Sequence, residues 1–272
     1  MDTIALAEHI AIPNVGFGTY QIAPEATKSA VSQAIALGYR SIDTAQAYHN
    51  EKEVGQAVID SGIDRTDLFI TSKTMTEGYE KTLASIDESL AKSGLDYFDL
   101  MLIHWPNRDN LATYRALEDA HKAGKLRSIG VSNFNSDQLR QLCQQASVLP
   151  AIDQIETTVY WQQKKMHPFL KSTGIVHESW SPLARGTDTF SNEPVLHEIS
   201  SGHGKTMAQV VLRFLTQEGI VVIPRSSNPQ HLAQNLDIFD FELTAEEIVQ
   251  IRELDRSQPI NGWPNSMMQE RY

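Results

Sequence analysis

What this chain has little of narrows its function before any motif is read. It carries one cysteine, Cys143, so no disulfide can close within it and thiolate zinc sites are excluded. A single thiol in the helical-looking stretch SDQLRQLCQQA reads as a packed side chain, and such sparse cysteine fits a reducing compartment. Positive charge is also scarce: 23 Lys and Arg against 34 Asp and Glu leave a formal net charge of -11 and a pI near 5.3. That balance argues against wrapping nucleic acid or lying on an anionic membrane, although it leaves room for a local basic pocket. No segment approaches the roughly 18 apolar residues of a membrane span. The N-terminal MDTIALAEHIAIPNVG lacks the basic start and apolar run of a signal peptide, so a cytoplasmic protein is expected.

Several signatures are missing as well. The glycines at 16, 18 and 38 do not compose G-x-G-x-x-G, so the usual dinucleotide fingerprint is absent. Gly202-His203-Gly204-Lys205-Thr206 looks like the end of a phosphate-binding loop, but the earlier glycine falls at Ile199. The nine histidines include no H-E-x-x-H, the His-Glu pairs at 177–178 and 197–198 read as incidental, and no metal site is expected.

What the chain does contain is a regular alternation of strand-like and helix-like segments, with no linker or low-complexity tract. After VGFGT, the segment 25–37 has apolar residues at helical spacing and stops at Gly38. Then come the strand-like YRSIDT, a helix over about 50–60, the strand-like DLFITSK, a helix over 78–93 stopping at Gly94, and FDLMLIHW. A helix over 111–123 precedes KLRSIGVSNF, and a further helix is expected to start with Ser136 as its N-cap. AIDQIETT, GIVHESW and IVVIPRS complete eight strands, and Thr244 with Glu247 forms a capping box for the last helix, within 244–254. Eight such alternations predict an α/β fold, an (α/β)8 barrel of one domain over 1–272, closed by a C-terminal loop over about 257–272.

Four polar side chains stand out on that frame. Asp43, Tyr48, Lys73 and His104 sit at or just past the ends of three strand-like stretches, SIDT, LFITSK and YFDLMLIHW. In a parallel barrel those ends open onto one face, where active sites are built. Taken singly, each has a plainer reading: a strand-end cap, a surface aromatic, a solvated charge, a core histidine. Together, a carboxylate, a phenol, an ammonium and an imidazole suit proton donation to a carbonyl oxygen.

The runs YRSIDTAQAYHNEKEVGQAV, ITSK, LMLIHWP, IGVSNF, QIE, SWSPLARG and IPRSSNPQHLAQN resemble, in order and over nearly the whole chain, those of the aldo-keto reductases. The short connection from Trp105 to Leu111 and the SWSPL segment look most like the bacterial members similar to 2,5-diketo-D-gluconate reductase and methylglyoxal reductase. The resemblance implies reduction of aldehydes and activated ketones with NADPH, NADH being possible, on a monomeric (α/β)8 barrel without a Rossmann motif. It implies Tyr48 as general acid, made readier to give its proton by the charge of Lys73, which Asp43 holds in place. At about 4 Å and an effective dielectric near 20, one charge is worth up to roughly 4 kcal/mol before desolvation. His104 is expected to hold the substrate oxygen.

The same resemblance implies a cofactor site built from Thr19, Tyr20, Asp43, Ser132, Asn133 and Gln154, with Trp180 stacked on the nicotinamide. Ser181, Pro182, Leu183, Arg185 and Gly186 are expected along the pyrophosphate, and Arg225, Ser226, Ser227, Asn228, His231, Gln234 and Asn235 around the 2′-phosphate and adenine. His231 stands where the family usually has arginine, and a histidine loses its charge across the neutral range. Tyr20, Tyr48, Met75, His104, Trp105 and Trp263 are expected to wall the substrate pocket. Two other readings are open. One is a cofactor-binding regulatory subunit with slow catalysis. The other is a short-chain dehydrogenase, suggested by Ser147, Tyr160 and Lys164 and opposed by the missing glycine-rich turn.

Overall fold

The computed structural model describes residues 2–7, 9–184, 186 and 189–260. The chain opens with an antiparallel hairpin, β1 (Thr3–Ala7) and β2 (Ile10–Pro13). The strand pattern read above does not include it: the alternation of Ile4, Leu6, Ile10 and Ile12 is short and no Asn-Gly turn marks it. Eight further strands follow, β3 (Phe17–Gly18), β4 (Ser41–Asp43), β5 (Phe69–Thr74), β6 (Phe98–Ile103), β7 (Leu126–Ser132), β8 (Ile152–Glu156), β9 (Val176–Trp180) and β10 (Val221–Val222). Each pairs in parallel with its sequence neighbour. A parallel bridge from Val15 to Val222, with the Val222 N–H donating to Asn14 O at 2.9 Å, brings the last strand back to the first. The predicted barrel is therefore closed, and closure removes the sheet's edges.

The helices assigned a position above are found close to it, as α1 (Pro24–Leu37), α2 (Glu51–Asp60), α3 (Tyr79–Ser93), α4 (Asn110–Lys122), α5 (Ser136–Cys143) and, at the end, α10 (Ala245–Arg252), and α6 (Met166–Thr173), α7 (Pro194–His203), α8 (Met207–Gln217) and α9 (Pro229–Leu236) lie between the later strands and after the last one. Gly38 ends α1 in the left-handed region at φ 109°, which a side chain would disfavour. One boundary differs from the expectation. The cap of α5 is Asn135, not Ser136, because Asn135 Oδ1 accepts the Gln138 N–H while Gln138 Oε1 accepts the Asn135 N–H. Thr244 and Glu247 form their capping box as read. No helix among the described residues is long and apolar enough to cross a membrane.

Side chains alternate between the two faces of each strand. Outward residues such as Ile42, Ile70, Met101, Ile129 and Ile155 join the core under the helices. Inward residues stack in layers. At the end where the strands begin, Phe69, Leu100, Leu102, Ile152 and Val221 pack with Ile12, and Ile4, Leu6 and Ile10 of the hairpin cover them. Toward the opposite end the inward positions turn polar: Asp43, Lys73, Gln154 and Glu178. An apolar plug below and polar groups above fix which mouth holds chemistry.

Two positions test the packing. A Cβ on Gly55 of α2 would lie 1.9 Å from the Ser93 carbonyl oxygen at the end of α3. Gly55→Ala, which in an exposed helix would help, should instead destabilise the protein by about 1–3 kcal/mol, read as a lower urea midpoint. An unchanged midpoint would show that the two helices can part freely.

Asp153, beside the inward Gln154, points the other way and is fully buried, and neither of its oxygens accepts a well-formed hydrogen bond from a described residue. Burial holds its pKa well above the carboxylate range, and the nearby Phe134 N–H only partly opposes this. A raised folded-state pKa means that the folded chain keeps the proton longer. The stability so gained is complete below the unfolded value of about 3.9 and is lost as pH rises toward the folded value. The urea midpoint of the native protein should therefore fall relative to that of Asp153→Asn as pH rises above the unfolded carboxylate value of about 3.9. A difference between the two that stays constant with pH would contradict this.

Candidate active site at the C-terminal mouth of the barrel

Lys73 is the most unusual side chain in the interior, a fully buried ammonium. Its Nζ donates to Asp43 Oδ1 at 2.5 Å and to the Thr44 carbonyl oxygen at 3.1 Å. Burial opposes the charge on Lys73, but Asp43 and then Tyr48 outweigh it, and the pKa rises. The lysine stays protonated. Asp43 reaches it from the end of the neighbouring strand, where Asp43 Oδ2 also accepts from Gln154 Nε2 at 2.9 Å.

Tyr48 lies on a short helical turn, Gln46–Tyr48, between β4 and α2. Gln46 ties that turn to α3 through Ser85 O at 3.1 Å and Ser89 Oγ at 3.0 Å. On the other side Asn50, fully buried, accepts from Thr44 Oγ1 at 2.7 Å and donates to Thr19 O and Thr27 Oγ1, each at 3.3 Å. So held, the Tyr48 ring lies 5.1 Å from Lys73 Nζ, 5.6 Å from the His104 ring and 5.1 Å from the Tyr20 ring.

The electrostatics of Tyr48 correct the expectation from sequence. Its pKa is pushed up to about 12, not down. Burial is the largest cause. Lys73 pulls the other way by its charge and a hydrogen bond, and Asp43 cancels part of that pull. Lys73 acts in the expected direction and is outweighed. The ring is partly exposed at the mouth, yet enough protein surrounds the phenol for its desolvation to dominate. His104, just past β6, shifts downward to about 3, first because it is buried and then because Lys73 is cationic. Its ring is therefore neutral at physiological pH. His104 Nδ1 is buried and takes no partner among the described residues.

The residues expected around the nicotinamide form one connected set. Asn133, at φ 65°, donates from Nδ2 to His104 O at 3.0 Å and to Ser132 Oγ at 2.9 Å. Its Oδ1 accepts from Trp180 Nε1 at 2.9 Å, which fixes the indole at the end of β9. Ser132 Oγ donates to the Gln154 carbonyl oxygen at 2.7 Å. Thr19 is fully buried, and its hydroxyl donates to Asp43 O at 2.9 Å.

The outer parts are looser. Ser181 and Ala184 take left-handed φ values of 57° and 54°, unusual for residues with a side chain. The N–H groups of Ala184 and Gly186 are already spent on the Ser181 and Leu183 carbonyls, while Pro182 is buried and Leu183 partly so. Arg185 lies outside the described residues. Arg225, Ser227, Asn228 and His231 are exposed, Ser226 and Gln234 are partly so, and Asn235 is buried. Asn228 caps α9 by accepting the Gln230 N–H at 2.9 Å, and the Ser226 hydroxyl accepts the Asn228 N–H at 3.0 Å. Because the Gly18 N–H donates to Pro224 O, this segment stays beside Thr19 and Tyr20. At the mouth, Tyr20 and Met75 are about half exposed at 47% and 51%, and Trp105 is partly buried. Trp263 and the rest of the C-terminal loop past 260 lie outside the described residues.

The trio that suggested a short-chain dehydrogenase does not assemble. The Tyr160 hydroxyl bonds Glu193 at 3.2 Å, Lys164 pairs with Asp255 at 3.1 Å, and the Ser147 N–H turns to Glu118. Two residues of the site escaped the sequence reading. Asn50 shows no signal beyond lying near Tyr48. Glu178, read as part of an incidental His-Glu pair, sits two positions before Trp180 and hence on the same inward face.

A profile described as the aldo/keto reductase family matches residues 14–256. Glyoxal reductase of Bacillus subtilis (strain 168) is 43% identical over 272 residues, covering 98% of each chain. Methylglyoxal reductase DkgA of Escherichia coli (strain K12) is 36% identical over 265 residues, 96% of each. The crystal structure of a Bombyx mori aldo-keto reductase in complex with NADP superposes with a TM-score of 0.89 at 34% identity, over 95% of this chain and 94% of that one. The closed parallel barrel, the buried polar layer at its C-terminal mouth and these likenesses agree, and the chain belongs to the aldo/keto reductase family of oxidoreductases.

Proposed function

We propose that this protein reduces aldehydes and activated ketones with NADPH, using Tyr48 as the proton donor. The observation that carries this reading is the fully buried Lys73–Asp43 pair set against the Tyr48 ring, with a neutral His104 beside the same ring. The residues present suit a nicotinamide. His104 Nδ1 is a buried polar atom without a described partner, Gln154 offers an amide at the pocket wall, and Trp180 is held as a flat apolar face by Asn133. A bound reduced nicotinamide supplies the hydride to the carbonyl carbon.

The remaining chemistry falls to the chain. Negative charge develops on the carbonyl oxygen, and the Tyr48 hydroxyl gives its proton to that oxygen. A phenol with a pKa near 12 is fully protonated throughout the physiological range, so the acid is always loaded. It is still a far stronger acid than the alcohol it helps to make. Lys73 then stabilises the phenolate left behind, and Asp43 keeps Lys73 charged and in place. The neutral imidazole of His104 orients the oxygen with one N–H and does not compete as an acid. Tyr20, Met75 and Trp105 give the substrate an apolar rim, and their exposure fits a site open to small carbonyl compounds of several shapes.

Arg225 and His231 would form the basic side of the 2′-phosphate site, at the entry to α9. Arginine offers a permanently charged fork of donors that histidine does not match. In His231→Arg the ratio of kcat/KM for NADPH over NADH should therefore be several-fold larger than in the native protein. An unchanged ratio would remove His231 from the site.

Tyr48→Phe keeps the ring and removes the proton donor. It should still bind NADPH while kcat for methylglyoxal falls about 100- to 10,000-fold, followed by loss of reduced-nicotinamide absorbance. Unchanged kcat would refute the acid assignment. Tight NADPH binding by the native protein with negligible turnover across a broad carbonyl panel would point instead to a regulatory, cofactor-binding role.

A further inference from the structure

Glu178 is the middle residue of β9, paired in register with Gln154 of β8, and its side chain is 1% exposed. A carboxyl group in that position is costly. Only one of its oxygens is engaged, Oε2, which accepts from Gln154 Nε2 at 2.8 Å, while Oε1 is buried with no partner among the described residues. An apolar side chain would fill the space more cheaply. The ionisable groups facing it are Asp43 from β4 and Lys73 from β5. Burial and then Asp43 raise the pKa of Glu178, with Gln154 and Lys73 opposing. The carboxyl thus holds its proton more tightly than an exposed glutamate. It spares the layer a second anion, since Lys73 already has Asp43 as its counter-ion.

The amide of Gln154 explains what this arrangement achieves. Its two N–H groups are both committed, one to Asp43 Oδ2 at 2.9 Å and one to Glu178 Oε2. Turned over, the amide would set its oxygen against the Asp43 carboxylate and lose its N–H bond to Glu178 Oε2, so the two carboxyl groups together favour nitrogen at that end. The remaining atom, Gln154 Oε1, takes no hydrogen bond from any described residue and is not sealed from solvent. We infer that Glu178 is a positioning residue: with Asp43 it locks the Gln154 amide, so that the amide oxygen faces the pocket and accepts an N–H from a carboxamide group. This deepens the reading above and rests on it, because the carboxamide in question is that of the nicotinamide ring.

The test uses two ligands that differ only in the donor. NADP+ carries a carboxamide, and its 3-acetylpyridine analogue carries an acetyl group that accepts but cannot donate. Dissociation constants for both, from quenching of intrinsic tryptophan fluorescence, are compared in the native protein, Glu178→Leu and Glu178→Gln. The native protein should prefer NADP+ by about five- to tenfold, the size of one well-made hydrogen bond. Glu178→Leu should reduce that preference at least twofold, because the amide, then held by Asp43 alone, is oriented less firmly. Glu178→Gln, whose own carbonyl oxygen can accept from Gln154, should keep most of it. Glu178→Ala carries the same comparison should the leucine variant fail to fold. A preference in both Glu178→Leu and Glu178→Ala as large as the native one, with NADP+ still bound, would overturn the role of Glu178 alone. A native protein that binds neither ligand would overturn the proposed function as well.

Discussion

One buried ion pair governs this molecule's interior. Lys73 has no exposed surface, and it remains charged chiefly because Asp43 meets it at 2.5 Å, while the Thr44 carbonyl takes a second N–H. Losing one partner of such a pair typically costs about 3–5 kcal/mol, against a total stability of roughly 5–15 kcal/mol for a domain. A pair of apolar residues would hold the barrel at least as well. The pair is therefore best understood through what its charge does to its neighbours. It lends Tyr48 a cation, keeps His104 from becoming one, and supplies the anion to which Gln154 is anchored.

Burial acts on those neighbours with opposite signs and produces a division of labour. The same scarcity of water that pushes the Tyr48 phenol up to about 12 pushes the His104 imidazole down to about 3. Each shift favours the neutral form, as desolvation must. Between those two values the site has one loaded acid and one uncharged hydrogen-bonding ring. Such separation of two titratable groups by environment is how one pocket assigns distinct roles to them. The charge of Lys73 matters less for readying the acid at rest than for the moment when the proton leaves and a phenolate would otherwise stand unsupported.

Much of this was legible in the chain because it depends on period and order. Strand ends at 43, 74 and 103 follow from apolar runs broken at regular intervals, and a barrel makes those ends converge. What sequence does not carry is the depth of a side chain. The sign of the Tyr48 shift was misjudged for that reason: the charge of Lys73 can be read from the sequence, whereas the water excluded around the phenol cannot. Glu178 illustrates a subtler loss. A two-residue step from Trp180 places it inside the barrel, but a glutamate in an interior layer contradicts ordinary burial preferences, so it reads as incidental until its bond to Gln154 is seen. The cap of α5 moved by one residue because Asn135 and Ser136 are both good caps, and only the reciprocal bonds with Gln138 decide between them. The hairpin β1–β2 went unread because four apolar residues in a short alternation signal little until a barrel floor is there to receive them.

The two halves of the site answer to different constraints. The buried half, Asp43, Lys73, Gln154 and Glu178, is a layer in which every group is bonded to another, so changes there are coupled and non-additive. The segment 225–231 lies past the last strand, mostly exposed, and its hydrogen bonds are local: Ser226 to Asn228, and Asn228 to Gln230. The backbone bond from Gly18 to Pro224 ties its start to the barrel. Charge in that segment, such as the guanidinium of Arg225, is screened by water from the layer beneath. A histidine is tolerable at the edge for the same reason that a lysine in the middle must be paired. The periphery can vary in how firmly it grips a phosphate while the interior keeps its charges balanced, and a single barrel can then change its cofactor preference without rebuilding its acid.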